Sequence, residues 1–328
     1  MSEIRTGVWF QGGLGVGTAV ELAKASEDAG VDSVWVAEGV LARDAFITLT
    51  AIALGTERVE LGTGVVNPLT RHPAQLAASF ATLDELSAGR TVCGVGVGAR
   101  DYLVKLGFDV SRPLAIARET VTVLRALIAR ESLHLDGSKF QVDGARLGVK
   151  PARADMPVYL AAAGPKMCQL AGEIADGAYI YYGSPDYLRQ AVAHMREGRS
   201  NGASFDVASP VIMAVDDDPA AARARVKPGI GLILTEPNAE SVLEANGLDP
   251  VHAQHIRDGL AAGGLRALVE AVDDSIVDAL TIAGPPSTCL EKLEEAVECG
   301  VTHPQALLQG EDPAPALRVL AALREGVR

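Results

Sequence analysis

The sequence predicts a (β/α)₈ barrel, and three observations carry that prediction. Short β-rich runs alternate with amphipathic helical stretches almost from end to end, the pattern of a parallel sheet covered by helices. Eight such runs can be counted, which suits a closed barrel better than an open sheet. The length, 328 residues, fits one barrel carrying an insertion, so residues 1–328 read as a single domain. A doubly wound sheet of five to seven strands is the alternative.

The first run is Ile4 to Phe10; a Gly-rich turn leads to a helix from about Thr18 to Ala29, with Gly30 at its stop. The second, Ser33 to Ala37, ends at Glu38 and precedes a helix from about Asp44 to Leu54. The third is Val59 to Val66, and Pro73 sits early in the next helix, which reaches about Leu86. The fourth, Thr91 to Val97, gives way to a loop and a long helix from about Pro113 to Arg130. Residues 131–155, rich in Gly, Lys and Asp, read as an excursion.

The fifth run is Val158 to Ala162, with a helix opening at Pro165. The sixth is Gly177 to Tyr181, followed by a helix from about Pro185 to Gly198. The seventh is Val207 to Val215, and residues 217–285 read as a large helical insertion. A helix from about Ser287 to Cys299 precedes the eighth run, Val301 to Leu308, and a helix from about Ala314 to Arg324 closes the chain.

Composition narrows the function. Apolar residues make up 48%, enough for a large core, and aromatic residues only 4%. The net charge of −13 argues against a nucleic-acid partner but not against an anionic cofactor, which backbone N–H groups can hold. Four cysteines without a C-x-x-C pair read as reduced thiols. With no signal-like run in Met1–Arg5 and no membrane-length apolar segment, a cytoplasmic protein is expected.

Barrel active sites lie at the C-terminal ends of the strands. Those ends lack a Ser–His–Asp order, an H-E-x-x-H pattern and a close carboxylate pair, so neither hydrolysis nor a metal site is expected. They are rich in glycine and small residues, which let a flat ring approach the backbone. At Ala163-Gly164-Pro165-Lys166 a strand ends and a helix opens. The free N–H groups of Lys166 and Met167, with the Lys166 charge, can receive a phosphate. These features imply a planar cofactor with a phosphate tail. Gly13-Leu14-Gly15-Val16-Gly17, with Glu38 beyond it, imitates a dinucleotide fingerprint but has G-x-G-x-G spacing in place of G-x-G-x-x-G.

Two runs, Gly62-Thr63-Gly64-Val65-Val66-Asn67-Pro68-Leu69-Thr70-Arg71-His72-Pro73 and Ala81 to Arg90, resemble the luciferase-like flavin and deazaflavin oxidoreductase superfamily. Within it they are most similar to the methylenetetrahydromethanopterin reductases. Gly164 to Met167, Ala171 to Gly177 and Ala271 to Asp274 share the resemblance, which covers nearly the whole chain. It implies a luciferase-type barrel, a homodimer, and coenzyme F-420 as hydride carrier for a small organic substrate. It also implies a non-proline cis peptide at Gly64–Val65 behind the deazaflavin ring. Asn67, the loop Gly96 to Arg100 with Gly96 and Gly98, and the Ala163–Lys166 turn are the implied cofactor residues. Glu38 takes the position of a family acid and is the candidate for proton transfer.

Two departures from the family pattern bear on the substrate. Gly39 stands where many members have His, and Trp9 stands where the methanopterin reductase has Glu, which makes Trp9 a candidate substrate-stacking residue. The competing readings are an FMN-dependent monooxygenase, a flavin-free NADH-dependent folate reductase, and a non-catalytic binding barrel.

Overall fold

The computed structural model describes residues 4–39, 41–98, 100–199 and 204–326. The chain divides into two compact units. The first comprises Gly7–Ile180 and Ala193–Ala208. Its strands are β1 (Gly7–Phe10), β2 (Ser33–Val36), β3 (Glu60–Thr63), β4 (Thr91–Val95), β5 (Leu133–Asp136), β6 (Gln141–Ala145), β7 (Val158–Ala161), β8 (Gly177–Tyr179) and the start of β9 (Asp206–Val215). They pair in parallel in the order β1-β2-β3-β4-β7-β8-β9, with β5 and β6 apart. Every residue of β1, β2, β4 and β8 is buried. Parallel strands covered on both faces show no alternation of polarity, which is why they read as continuous apolar runs.

Helices Val16–Asp28, Ala45–Gly55 and Pro73–Leu86 follow β1, β2 and β3, and Pro113–Ile128 and Pro165–Ile174 lie further along. Proline in the first turn opens the last three, where its missing N–H costs nothing. The indole of Trp35 on β2 stacks on Tyr179, with ring centroids 5.3 Å apart, and meets Tyr159 edge-on at 5.2 Å. This aromatic triad fills the space between β2, β7 and β8.

The N-terminal ends of the strands are tied by charge. Arg90 donates to the carbonyls of Ala53, Thr56 and Val59 at 3.1, 3.1 and 3.0 Å. The fully buried Asp84 carboxylate accepts from the backbone N–H of Thr91 (3.3 Å) and Arg153 (3.0 Å). The Ala81–Arg90 run quoted for the family resemblance is therefore scaffold, away from the strand C-termini.

Two elements go beyond the expected ones. Residues 131–155 contain the antiparallel hairpin β5–β6, whose turn is gathered by the Glu119 carboxylate accepting from the N–H groups of Ser138, Lys139 and Phe140. The loop after β4 forms a short helix, Arg100–Lys105.

The second unit comprises Met1–Thr6, Tyr181–Val192 and Ser209–Arg328. The rest of β9 lies between β10 (Thr281–Gly284) and β11 (His303–Leu308). The helical insertion expected over 217–285 ends at Leu280: Thr281–Gly284 pairs with Ile212–Val215 as a strand. With no turn between it and the helix Asp274–Leu280, this short strand reads as a continuation of the helical segment. Those helices, Pro219–Ile233, Ala239–Ala245, Val251–Ala271 (broken at Gly263–Gly264) and Asp274–Leu280, bury Val226, Ile230, Leu243, Ile256, Leu268 and Ile276 in one cluster with Ile212 and Ala214 of β9. Asn246 joins this insertion to the loop after β8, accepting from Ser184 N–H at 2.7 Å and donating to Val242 O at 2.8 Å. Among the described residues no helix is long and apolar enough to cross a membrane.

Candidate active site

The site grows out of the end of β3. Regular pairing of β3 with β4 stops after Gly62, and Thr63 continues it through its side chain, Oγ1 donating to Gly94 O at 2.6 Å and accepting from Gly94 N–H at 3.1 Å. Gly64 N–H still donates to Val36 O of β2 at 2.8 Å. The Gly64–Val65 peptide bond is cis, as the resemblance implied. Val66 then rejoins β4, donating to Gly94 O and accepting from Gly96 N–H at 3.1 and 3.0 Å. Two residues thus bulge out of a ladder that is closed on either side of them.

Packing fixes what the bulge can contain. A Cβ on Gly64 would stand 2.6 Å from Tyr179 Oη and 3.2 Å from Trp9 Cδ1. A Cβ on Gly96 would stand 2.6 Å from Val65 Cγ2 and 2.7 Å from Ala161 Cβ. Only glycine fits either place, and Val65, half-buried, lies across Gly96. Asn67 ties the bulge to the loop after β4: its Nδ2 donates to Gly98 O at 3.1 Å and its Oδ1 accepts from Leu69 N–H at 2.9 Å. Asn67 was expected among the cofactor residues, and its amide is engaged in joining these loops. Ala99, in the same loop, lies outside the described residues.

Expected to face the substrate, Trp9 instead backs the bulge. It is 3% exposed, and its Nε1–H donates to Gly64 O at 3.2 Å. An indole enclosed in this way has no open face for a substrate ring.

Glu38 lies just past the end of β2, the strand that pairs with β3. Its Oε1 accepts from Arg71 Nη2 at 2.9 Å, and its Oε2 is buried with no hydrogen-bond partner among the described residues. The same Nη2 donates to Asp44 Oδ2. Asp44 caps the helix Ala45–Gly55, accepting from Ile47 N–H at 3.0 Å, and the Arg71 guanidinium lies 5.1 Å over the Phe46 ring. The two carboxylates fare differently. Burial pushes the Glu38 carboxyl up, more than Arg71 pulls it down, and the neighbouring Asp44 charge adds to the rise. Burial also opposes the Asp44 charge, but the Ile47 N–H and Arg71 outweigh it and hold that carboxyl low. Neither Arg71 nor Asp44 stood out in the sequence. Their nearest signal was Arg71's place four residues past Asn67, inside the quoted run.

Gly164 caps the helix Pro165–Ile174 with extended backbone and no side-chain cap. Ala163, Gly164, Pro165 and Lys166 are exposed, and nothing lies within 4 Å of a Cβ placed on Gly164. One detail is corrected: Met167 N–H, expected free, donates to Gly164 O at 3.0 Å, which closes the first turn. The glycine run near the N-terminus is held differently from a dinucleotide loop. Arg43 Nη1 donates to Gly12 O and Gly13 O at 3.2 and 2.7 Å, and Glu38 is engaged by Arg71.

With this geometry in place, the relatives are informative. The chain is 34% identical to the 5,10-methylenetetrahydromethanopterin reductase of Methanolobus tindarius, over 86% of this chain and 87% of that one. It is 31% identical to a putative coenzyme F420-dependent oxidoreductase of Mycobacterium tuberculosis, over 92% and 93%. The solved structure of the coenzyme F420 dependent tetrahydromethanopterin reductase of Methanopyrus kandleri superposes with a TM-score of 0.89 at 27% identity, covering 98% of each chain. The fold class is the (β/α)₈ barrel that the strand and helix order implied. The profile of the luciferase-like monooxygenase family matches residues 3–303, and the chain belongs to that family.

Proposed function

We propose that this chain is an oxidoreductase that uses coenzyme F-420 to transfer a hydride to or from a small organic substrate. The observation that carries the proposal is the bulge Gly64–Val65, backed by Trp9 and flanked by the oriented Glu38. It sits in a chain whose similar proteins include F420-dependent enzymes. The residues present suit a deazaflavin with a phosphate-bearing tail. The half-buried Val65 over Gly96 offers a flat apolar surface, and open space surrounds both Gly98 and the Gly164 helix cap. Gly64, Val65, Gly96 and Gly98 would hold the ring, with Asn67 fixing their loops. Ala163, Gly164, Pro165 and Lys166 would hold the tail through the Lys166 N–H and ammonium. When bound, the coenzyme supplies the hydride.

The chain's own part is orientation and one proton. Glu38, whose carboxyl burial pushes up from its ordinary value, is the group placed to hold or pass that proton. Trp9 serves as a buttress in this proposal.

We read residues 1–328 as one domain, a reading supported by the family match running through both compact units. A homodimer is supported by an apolar outward face on the helix Ala45–Gly55 and the turn before it: Leu41, Ile47 and Leu54 are 86, 67 and 73% exposed. A cytoplasmic setting is supported by four free, buried cysteines.

Titration of the purified chain with coenzyme F-420, FMN and NADH, followed by fluorescence, tests the cofactor. Saturable binding of F-420 in preference to the other two is expected. Preference for FMN would favour the monooxygenase reading, preference for NADH the flavin-free one, and binding of none would remove the enzyme reading.

A further inference from the structure

We infer that Arg71 is a positioning residue for Glu38, holding one carboxylate oxygen so that the other is presented alone to a bound molecule. The inference rests on the proposed role of Glu38. Two contacts fix Arg71 before it reaches the glutamate, and one of them is itself braced. Asp44 takes one hydrogen of Nη2, Asp44 is itself held by the Ile47 N–H, and the guanidinium lies over the Phe46 ring at 5.1 Å. Phe46 in turn meets Phe80 edge-on, with centroids 5.0 Å apart. The remaining hydrogen of Nη2 goes to Glu38 Oε1 at 2.9 Å. A planar guanidinium anchored on two sides can turn very little, so the position of Glu38 Oε1 is set by its partner.

The other oxygen, Oε2, is where this arrangement points. It is buried and has no hydrogen-bond partner among the described residues. Buried carboxylate oxygens are ordinarily paired, and one left unpaired beside a strand-end bulge is available to a ligand's donor or acceptor. The charged groups acting on Glu38 are Arg71 and Asp44. Arg71 lies on the loop after the bulge and Asp44 at the cap of the helix Ala45–Gly55 that follows β2, so one cation couples the bulge loop, the helix cap and the acid.

The test uses the full chain carrying ¹³C-labelled glutamate, with the Glu38 carboxyl resonance assigned by its loss in Glu38→Gln. In Arg71→Met the Glu38 titration midpoint is expected to rise by roughly 1–3 pH units, the usual effect of an adjacent cation. In Arg71→Lys a smaller rise in the same direction is expected. A single ammonium keeps its charge but cannot serve both carboxylates with the same geometry. The Lys variant also keeps the test decisive if the Met variant does not fold. The second readout is coenzyme F-420 affinity by fluorescence. The change caused by Arg71→Met is expected to disappear when Glu38 is already Gln, because Arg71 acts through Glu38. A Glu38 midpoint unmoved in both Arg71 variants, or an Arg71→Met effect of the same size in the Glu38→Gln background, would overturn the inference. The catalytic reading fails by a separate measurement, undiminished hydride transfer by Glu38→Gln, which leaves the carboxyl titration intact as a test of Arg71.

Discussion

At the residue scale, the site depends on one acid and one glycine. Glu38 is half-buried beside Arg71 and Asp44, and burial pushes its carboxyl up from its ordinary value. Glu38→Gln is expected to lower turnover by roughly 100-fold or more, the usual yield of a positioned acid or base. Unchanged turnover would show that the proton comes from elsewhere. The sign of the stability effect follows from the raised pKa. The folded state binds the Glu38 proton more tightly than the unfolded chain does. That stabilisation is present below the unfolded value and is lost as pH rises through the folded one. Denaturant melts should therefore show Glu38→Gln gaining stability relative to the parent as pH rises through that window. Gly64 has a different constraint: a methyl there would run into Tyr179 Oη and crowd Trp9. Gly64→Ala is expected to cost about 1–3 kcal/mol, the usual penalty for overpacking, and to weaken F-420 binding. Unchanged affinity in a folded Gly64→Ala protein would place the ring away from this bulge.

At the element scale, the two ends of the strands have separate tasks, and substitutions should separate them. Asp84 and Arg153 tie the N-terminal ends together in a setting where the carboxylate is fully buried. Asp84→Ala is expected to cost about 3 kcal/mol, because it strands buried donors, while F-420 affinity per folded molecule stays the same. Chemical denaturation alongside ligand titration checks both halves. The helix Ala45–Gly55 has apolar residues on both faces, and its inner face packs Phe46 against Phe80. Ile47→Glu with Leu54→Glu is expected to convert the proposed dimer into a folded monomer, read by light scattering. A dimer that survives both charges would place the interface on another surface.

At the scale of the whole molecule, the barrel was legible because its strands are short, apolar and regularly followed by helices. Parallel strands buried on both faces leave that signature in the residues themselves. The strand-end glycines were legible as a surface that a ring could approach, and the family resemblance placed the cis peptide at Gly64–Val65. The rest depended on contacts that no local pattern records. Trp9 read as a residue facing the substrate, but its direction is set by a bond to Gly64, 55 positions away. Arg71 and Asp44 lie 33 and 6 positions from Glu38, in a loop and a helix cap with no chemical motif, and only folding brings both carboxylates to one Arg71 nitrogen. The strand Thr281–Gly284 was hidden because it follows the helix Asp274–Leu280 without a turn and read as the end of the helical insertion.

The central claim is that a deazaflavin ring rests on the bulge with its tail at the helix Pro165–Ile174. A crystal structure of the chain with coenzyme F-420 bound tests it most directly. The account predicts the ring against Gly64–Val65, within reach of Glu38 Oε2, and the tail phosphate at Gly164–Lys166. A ring bound elsewhere on the chain, or a phosphate held away from that helix end, would contradict it.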